Sequence, residues 1–363
     1  MQRPHSISVL FLALFLILLS PIARADQGSL KIGVITPLSG GMATIGSAVK
    51  NGIELARSEQ PELFKNISFM YEDDQFDPKQ SLTAYKKLRD IDHVSLIFGF
   101  GDTLGLVLGP LADQDKILLV NFNFEATPAI GKKLVVRSMN HTRQYMTALA
   151  NYLNQQGNSK FEILQVESPF FNAMVKSFRD AVGDKGTVEV VGNYTPTDTD
   201  FKAIILKLKS KGTAPVGIFL SPNQILDFMK QAKELRLERE YFGTDLFETA
   251  AGIVPDPANL QGCLYPDNQV STSFRTNYRR KFGNEAQLTF AGSAYEMALL
   301  VGRIYRAESI KSPVDLMTAF ATMQKQTGVL GSYSFVDDKQ FGKFFEFPVY
   351  VKRIVGSTGV PVK

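Results

Sequence analysis

The chain has 363 residues, with 40 lysines and arginines against 36 aspartates and glutamates, and a single cysteine. Charge this evenly balanced, with no basic stripe and no basic amphipathic helix, offers no footprint for nucleic acid or anionic lipid. The lone Cys263 excludes an intramolecular disulfide, and in Gly262-Cys263-Leu264 it reads as a small buried apolar residue.

The first segment reads as an export signal covering residues 1–25. Arg3 supplies a short basic start, Val9 to Leu19 is an unbroken apolar run, and Ala23-Arg24-Ala25 is an A-x-A cleavage site behind Pro21. The run is far shorter than the ~20 apolar residues of a membrane-spanning anchor. Cleavage after Ala25 leaves Asp26 first, removes Arg3 and Arg24 but no acid, and brings the mature chain close to neutrality. No cysteine lies near that site to carry a lipid, so the expected product is soluble in the periplasm. The roughly 340 residues that remain exceed the ~250–300 at which a single core usually divides, so two lobes are expected.

Strand, loop and helix follow at once in Lys31 to Ala56. Ile32, Val34 and Ile35 form a buried strand, Pro37 and Ser39-Gly40-Gly41 break it, and Ala48, Val49, Gly52, Ile53, Leu55 and Ala56 recur at helical spacing. Further strands are expected at Ile67 to Tyr71, Val94 to Phe98, Ile117 to Asn121, Leu134 to Arg137, Phe161 to Val166, Val188 to Tyr194, Val216 to Leu220 and Gly262 to Tyr265. Amphipathic helices separate them. In one, Ile225, Phe228, Met229, Ala232 and Leu235 share a core face opposite Lys230, Lys233, Glu234 and Arg236. Alternation of this kind implies parallel βαβ units with right-handed crossovers. Near the end, Gly331 to Phe335 and Phe345 to Ile354 read as extended segments with no helix between them.

The Lys31 to Ala56 segment closely resembles the first motif of the type I periplasmic binding proteins, in the leucine/isoleucine/valine-binding branch that feeds ABC importers, and the resemblance covers essentially the whole mature chain. It implies an α/β fold of two doubly wound parallel-sheet lobes joined by three crossover strands. Carried onto this sequence, the crossings fall near Asn140-His141, Pro266-Asp267 and Phe335-Val336. Lobe one is then 28–140 plus 267–335, and lobe two 141–266 plus 336–363. Relatives often carry a disulfide in the first lobe, which this chain cannot form.

In that architecture four loops face the cleft between the lobes, where open α/β sheets hold ligands beyond the carboxyl ends of their strands. The first, Ser39 to Gly46, places Ile45 at a position often aromatic in the family. The second, Gly99 to Leu104, brings Phe100, Asp102 and Thr103 to a helix amino end suited to a ligand carboxylate. Asp102 stands where serine is common, so either it caps the helix itself or the ligand lacks an α-carboxylate. The third, Asn121 to Pro128, contributes Phe124 and Thr127. In lobe two, Phe171 aligns with a family tyrosine, Ser221 falls near a second, and Asp245 matches the acid that receives the ligand's ammonium. The alternative for Asp245 is a turn residue after a strand. Phe100, Phe122, Phe124, Phe170 and Phe171 make these loops aromatic; at least two of the five are expected in the core and the others against an apolar or aromatic ligand body.

Rival chemistry is thin. Gly99 to Gly105 holds only a lone GxGxxxG, and no GxxxxGK[ST], HExxH, GxSxG or CxxC occurs. Glu72-Asp73-Asp74 with Asp77 lacks the spacing of a calcium loop. The expectation is therefore a monomeric receptor rather than an enzyme, with no cofactor or metal, that captures a small amino-acid-like or aromatic solute for an inner-membrane ABC permease. The alternative is a sensory protein of the same fold that reports its ligand to a partner.

Overall fold

The computed structural model describes residues 29–307 and 310–362. The signal at 1–25, with its cleavage site, lies outside the described residues.

Two sheets, each flanked by helices, form two lobes. In the first, the chain alternates β1 (Leu30–Thr36), α1 (Ala43–Glu59), β2 (Ile67–Asp73), α2 (Pro78–Asp90), β3 (Leu96–Phe100), α3 (Asp102–Asp115), β4 (Leu118–Phe122) and β5 (Val135–Arg137). These strands pair in parallel, and central β3 and β4 are buried throughout. That is why they read as continuous apolar runs rather than alternating ones.

The chain then builds the second lobe from α4 (Thr142–Gln155), β6 (Lys160–Val166), α5 (Pro169–Val182), β7 (Thr187–Tyr194), α6 (Lys202–Lys211), β8 (Val216–Phe219), α7 (Pro222–Glu234), β9 (Tyr241–Gly243), α8 (Leu246–Ile253) and β10 (Leu264–Asp267). Of these, β9 is too short to stand out as a run in the sequence. In α7, Ile225, Phe228, Met229 and Ala232 are buried as the amphipathic pattern requires.

A return to the first lobe adds α9 (Thr272–Phe282), α10 (Leu288–Ala307), α11 (Pro313–Thr322), β11 (Gln326–Gly328), β12 (Gly331–Asp338) and β13 (Gly342–Glu346). Helix α10 lies against α1 so closely that a Cβ at Gly52 would stand 2.1 Å from the Ala291 carbonyl oxygen, a contact only glycine permits. The last pair, β14 (Tyr350–Val355) and β15 (Thr358–Pro361), joins the second sheet. Strand orders are β11-β12-β13-β5-β4-β3-β1-β2 and β15-β14-β10-β9-β8-β6-β7.

Two expectations need correction. The sheets are not wholly parallel: β11, β12 and β13 pair antiparallel with one another, as β14 does with β10 and β15. No helix intervenes from β11 to β13 or between β14 and β15, and strands joined by tight turns must run antiparallel; β14 meets β10 only after α9 to α11 and the third crossing. Nor does the chain leave the first sheet at Phe335-Val336. Val336 pairs with Phe344, and Phe344 pairs with Arg137 of β5, so 336–346 stay with the first sheet. The extended run from Phe345 to Ile354 is split at Pro348, which has no N–H to continue a ladder, and the chain crosses there.

The three crossings are fastened to one another. Asn140 Nδ2 donates to the Phe347 carbonyl at 2.7 Å, and the Phe347 N–H donates to Asn140 Oδ1 at 2.9 Å. Asn268 Nδ2 donates to the Pro348 carbonyl at 2.8 Å while its Oδ1 accepts from the Tyr145 hydroxyl at 2.6 Å.

Candidate ligand-binding cleft

The loops beyond the carboxyl ends of β1 to β4 are organised by carboxylates. Asp73, at the end of β2, accepts from the backbone N–H groups of Leu38, Ser39 and Gln75 and from the Ser39 hydroxyl at 2.6 Å. Partial burial opposes its ionisation, but these bonds outweigh burial and hold the carboxyl below its ordinary range. Asp74 accepts from Ser81 and from the Phe76 N–H, and Asp77 caps α2 through the N–H groups of Lys79 and Gln80. Each acid of this cluster thus has a structural partner. Ile45 is half-buried against the first core.

After β3, Gly101 takes φ +100 and serves as the N-cap of α3, where a Cβ would meet the Phe76 ring at 2.7 Å. Asp102, the first residue of α3, therefore does not cap its own helix. Its Oδ1 accepts instead from Asn123 Nδ2 and from the Glu125 N–H, both at 2.8 Å. The second cleft loop is thereby tied to the third, on either side of Phe124. Arg137, fully buried, supports the same loop from below, with Nη1 3.4 Å from the Phe124 carbonyl and Nη2 3.0 Å from that of Phe341. Burial lowers its pKa to about 10, against the raising influence of Asp102 and Glu125. Glu125 is pushed upward by burial and by Asp102.

Phe124 reaches across the cleft. Its ring centroid stands 5.7 Å from Phe290 of lobe one, and 5.6 Å and 5.9 Å from Tyr145 and Phe170 of lobe two. It packs against both hydrophobic cores. Beside it lies a small recess lined by Tyr145, Met146, Met174, Thr244, Asp245, Pro266 and Asp267.

Asp245 is half-buried in this recess at the start of α8 and makes no side-chain capping bond there. Burial, then the neighbouring carboxylates of Asp267 and Glu248, raise its pKa to about 7. Those neighbours are already engaged. Asp267 accepts from Lys352 Nζ at 2.6 Å and from the Thr289 hydroxyl at 2.9 Å, and Glu248 accepts from the Tyr265 hydroxyl. Asp267 thus takes the ammonium and Glu248 a phenol, and among the described residues Asp245 has no side-chain ion pair.

Of the remaining expected site residues, Phe100 is buried between Phe76 and Phe290, and Thr103 and Thr127 are exposed. Phe171 belongs to the lobe-two core, and its neighbour Phe170 meets Phe124. The signal was present: Phe171, Met174, Val175, Phe178 and Val182 share one helical face, all buried. Ser221 donates its hydroxyl to Gln224 Oε1 at 2.8 Å at the start of α7. Sequence reasoning missed Tyr145, Met146, Met174 and Phe290 as cleft residues, since apolar residues on a helix face read as core, and Asp267, which ends β10 at the second crossing.

Two sheet lobes fastened by three crossings, with loops from both meeting around a recessed carboxylate and an aromatic ring, define a two-lobed solute receptor. The family description for periplasmic binding proteins matches residues 29–357, and the chain belongs to that family, whose members bind solutes for ABC transporters and are not enzymes. The Leu/Ile/Val-binding protein homolog 3 of Brucella melitensis is 26% identical over 344 residues, covering 86% of this chain and 92% of the relative. The branched-chain amino acid transporter substrate-binding protein LivJ of Streptococcus pneumoniae, in complex with isoleucine, superposes with a TM-score of 0.77 at 21% identity, covering 91% of this chain and 97% of that one. A solute-binding protein from Rhodopseudomonas palustris in complex with benzoate gives 0.76 at 19% identity, with coverage of 92% and 96%.

Proposed function

We propose that the mature protein is a periplasmic receptor that captures a small amino-acid-like or aromatic solute bearing a cationic nitrogen, and delivers it as a monomer to an inner-membrane ABC permease. The observation that carries this reading is Asp245, a recessed carboxylate that forms no ion pair among the described residues and lies beside an aromatic wall. A ligand ammonium supplies the missing charge through a charge-assisted hydrogen bond, strong where water is excluded. Asp245 lies in lobe two and Phe124 on a lobe-one loop, so a solute touching both stabilises the closed arrangement over the open one. Residues 1–25 deliver the chain to the periplasm and are removed after Ala25. Ligands of the similar proteins, isoleucine in one and benzoate in another, fit a cleft family that accepts both apolar and aromatic bodies.

Calorimetry against amino acids, aromatic acids and amines tests the reading. Asp245→Ala is expected to cost about 2–5 kcal/mol of binding for an amine, roughly 30-fold or more. An amine ligand bound equally well by both proteins refutes the assignment of Asp245.

A further inference from the structure

The aromatic ring that bridges the lobes stands where a ligand body is expected. Phe124 has Phe290 on one side and Tyr145 and Phe170 on the other, at centroid distances of 5.6–5.9 Å, within the range of packed aromatic pairs. The open space beside Asp245 is about 10 Å³, enough for a single water molecule. The backbone that carries the ring is fixed from three directions. Asp102 holds Asn123 on one side and the Glu125 N–H on the other, and Arg137 holds the Phe124 carbonyl. The ring therefore cannot leave with its loop unless those bonds break.

We propose that Phe124 is a plug that sets how large a solute body the closed cleft admits: the benzyl group and part of the ligand body compete for one volume. This deepens the reading of the cleft as the solute site and rests on it. Removal of the ring leaves a space bounded by Tyr145, Phe170 and Phe290, with Met146 and Met174 lining the adjoining recess. An apolar cavity of benzyl size stays dry and accepts a small aromatic.

The experiment uses toluene, a ring without charge, and benzylamine, the same ring with a cation, measured by calorimetry on wild type, Phe124→Ala and Phe124→Ala with Asp245→Asn. Phe124→Ala is expected to bind toluene at least roughly tenfold more tightly than wild type, a margin set by burial of one ring. Benzylamine is expected to bind Phe124→Ala more tightly than toluene does, with the advantage lost when Asp245 is also changed. Equal binding of toluene by wild type and Phe124→Ala overturns the plug, as does a folded Phe124→Ala that binds neither ligand. Should toluene behave as expected while benzylamine gains nothing, the plug stands and the ammonium role of Asp245 falls. Phe124→Leu, which keeps an apolar side chain, covers the case of an unfolded alanine variant and is expected to bind toluene with intermediate affinity.

Discussion

Lys352 Nζ lies 2.6 Å from Asp267 Oδ2, both groups buried, and so ties a strand that follows the third crossing to the strand that ends at the second. Thr289 of α10 donates to the same carboxylate at 2.9 Å, which extends the link into lobe one. Lys352→Met removes the cation paired with buried Asp267, beside Asp245 and Glu248. The expected loss is about 3–5 kcal/mol, as for any buried pair broken on one side. Urea unfolding measures it; a loss below 1 kcal/mol means that water already screens the pair.

Asp245 makes stability depend on pH in the direction opposite to most carboxylates. Its pKa is about 7 in the folded protein against an ordinary value of 3.8, so between those values the native state holds a proton that the unfolded chain does not. Its contribution is therefore fully present at pH 4 and below, and is lost as pH rises through 7. Asp245→Asn is expected to raise stability at pH 8 by on the order of 2–4 kcal/mol and to change little at pH 4. Thermal melts across that range decide it, with a constant difference at all pH values counting against the assignment.

The same proton competes with a ligand cation. Affinity for an amine that binds the ionised carboxylate is expected to fall as pH drops below about 7, up to tenfold per unit, and calorimetry in two buffers should show proton release on binding. Binding that is flat from pH 5 to 8 places the amine elsewhere.

Asp102 links two cleft loops rather than capping its helix, so its substitution acts on shape as well as charge. Asp102→Ala frees the Asn123 amide and the Glu125 N–H together and is expected to cost about 1–3 kcal/mol of stability. Asp102→Ser removes the charge and should improve binding of carboxylate ligands over wild type. Tight wild-type binding of leucine removes the case for charge exclusion.

Phe170 and Phe171 should separate cleanly. Phe171→Ala empties part of the lobe-two core and is expected to cost about 3–5 kcal/mol. Phe170→Ala removes a partner of Phe124 at the cleft, with a smaller loss of stability and a larger effect on ligand binding. Equal losses of stability from the two changes contradict the division of their roles.

The α/β alternation, strands β1 to β8 and β10, the face of α7 and the loop after β1 were all legible in the sequence, because burial on one or both faces of an element leaves a pattern among near neighbours. What the sequence left open are relations between residues far apart in the chain. Asp102 sits at a helix start and favours a cap by local rules, yet its bonds go to Asn123 and Glu125 on another loop, because Gly101 takes the capping position. The place where the chain leaves the first sheet depended on Phe344 finding β5 across more than half the molecule. The charge state of Asp245 depended on its burial and then on Asp267 and Lys352, each brought there by a different crossing. Local periodicity encodes which face of an element is apolar; only tertiary packing decides which apolar face becomes core and which becomes the wall of a cleft.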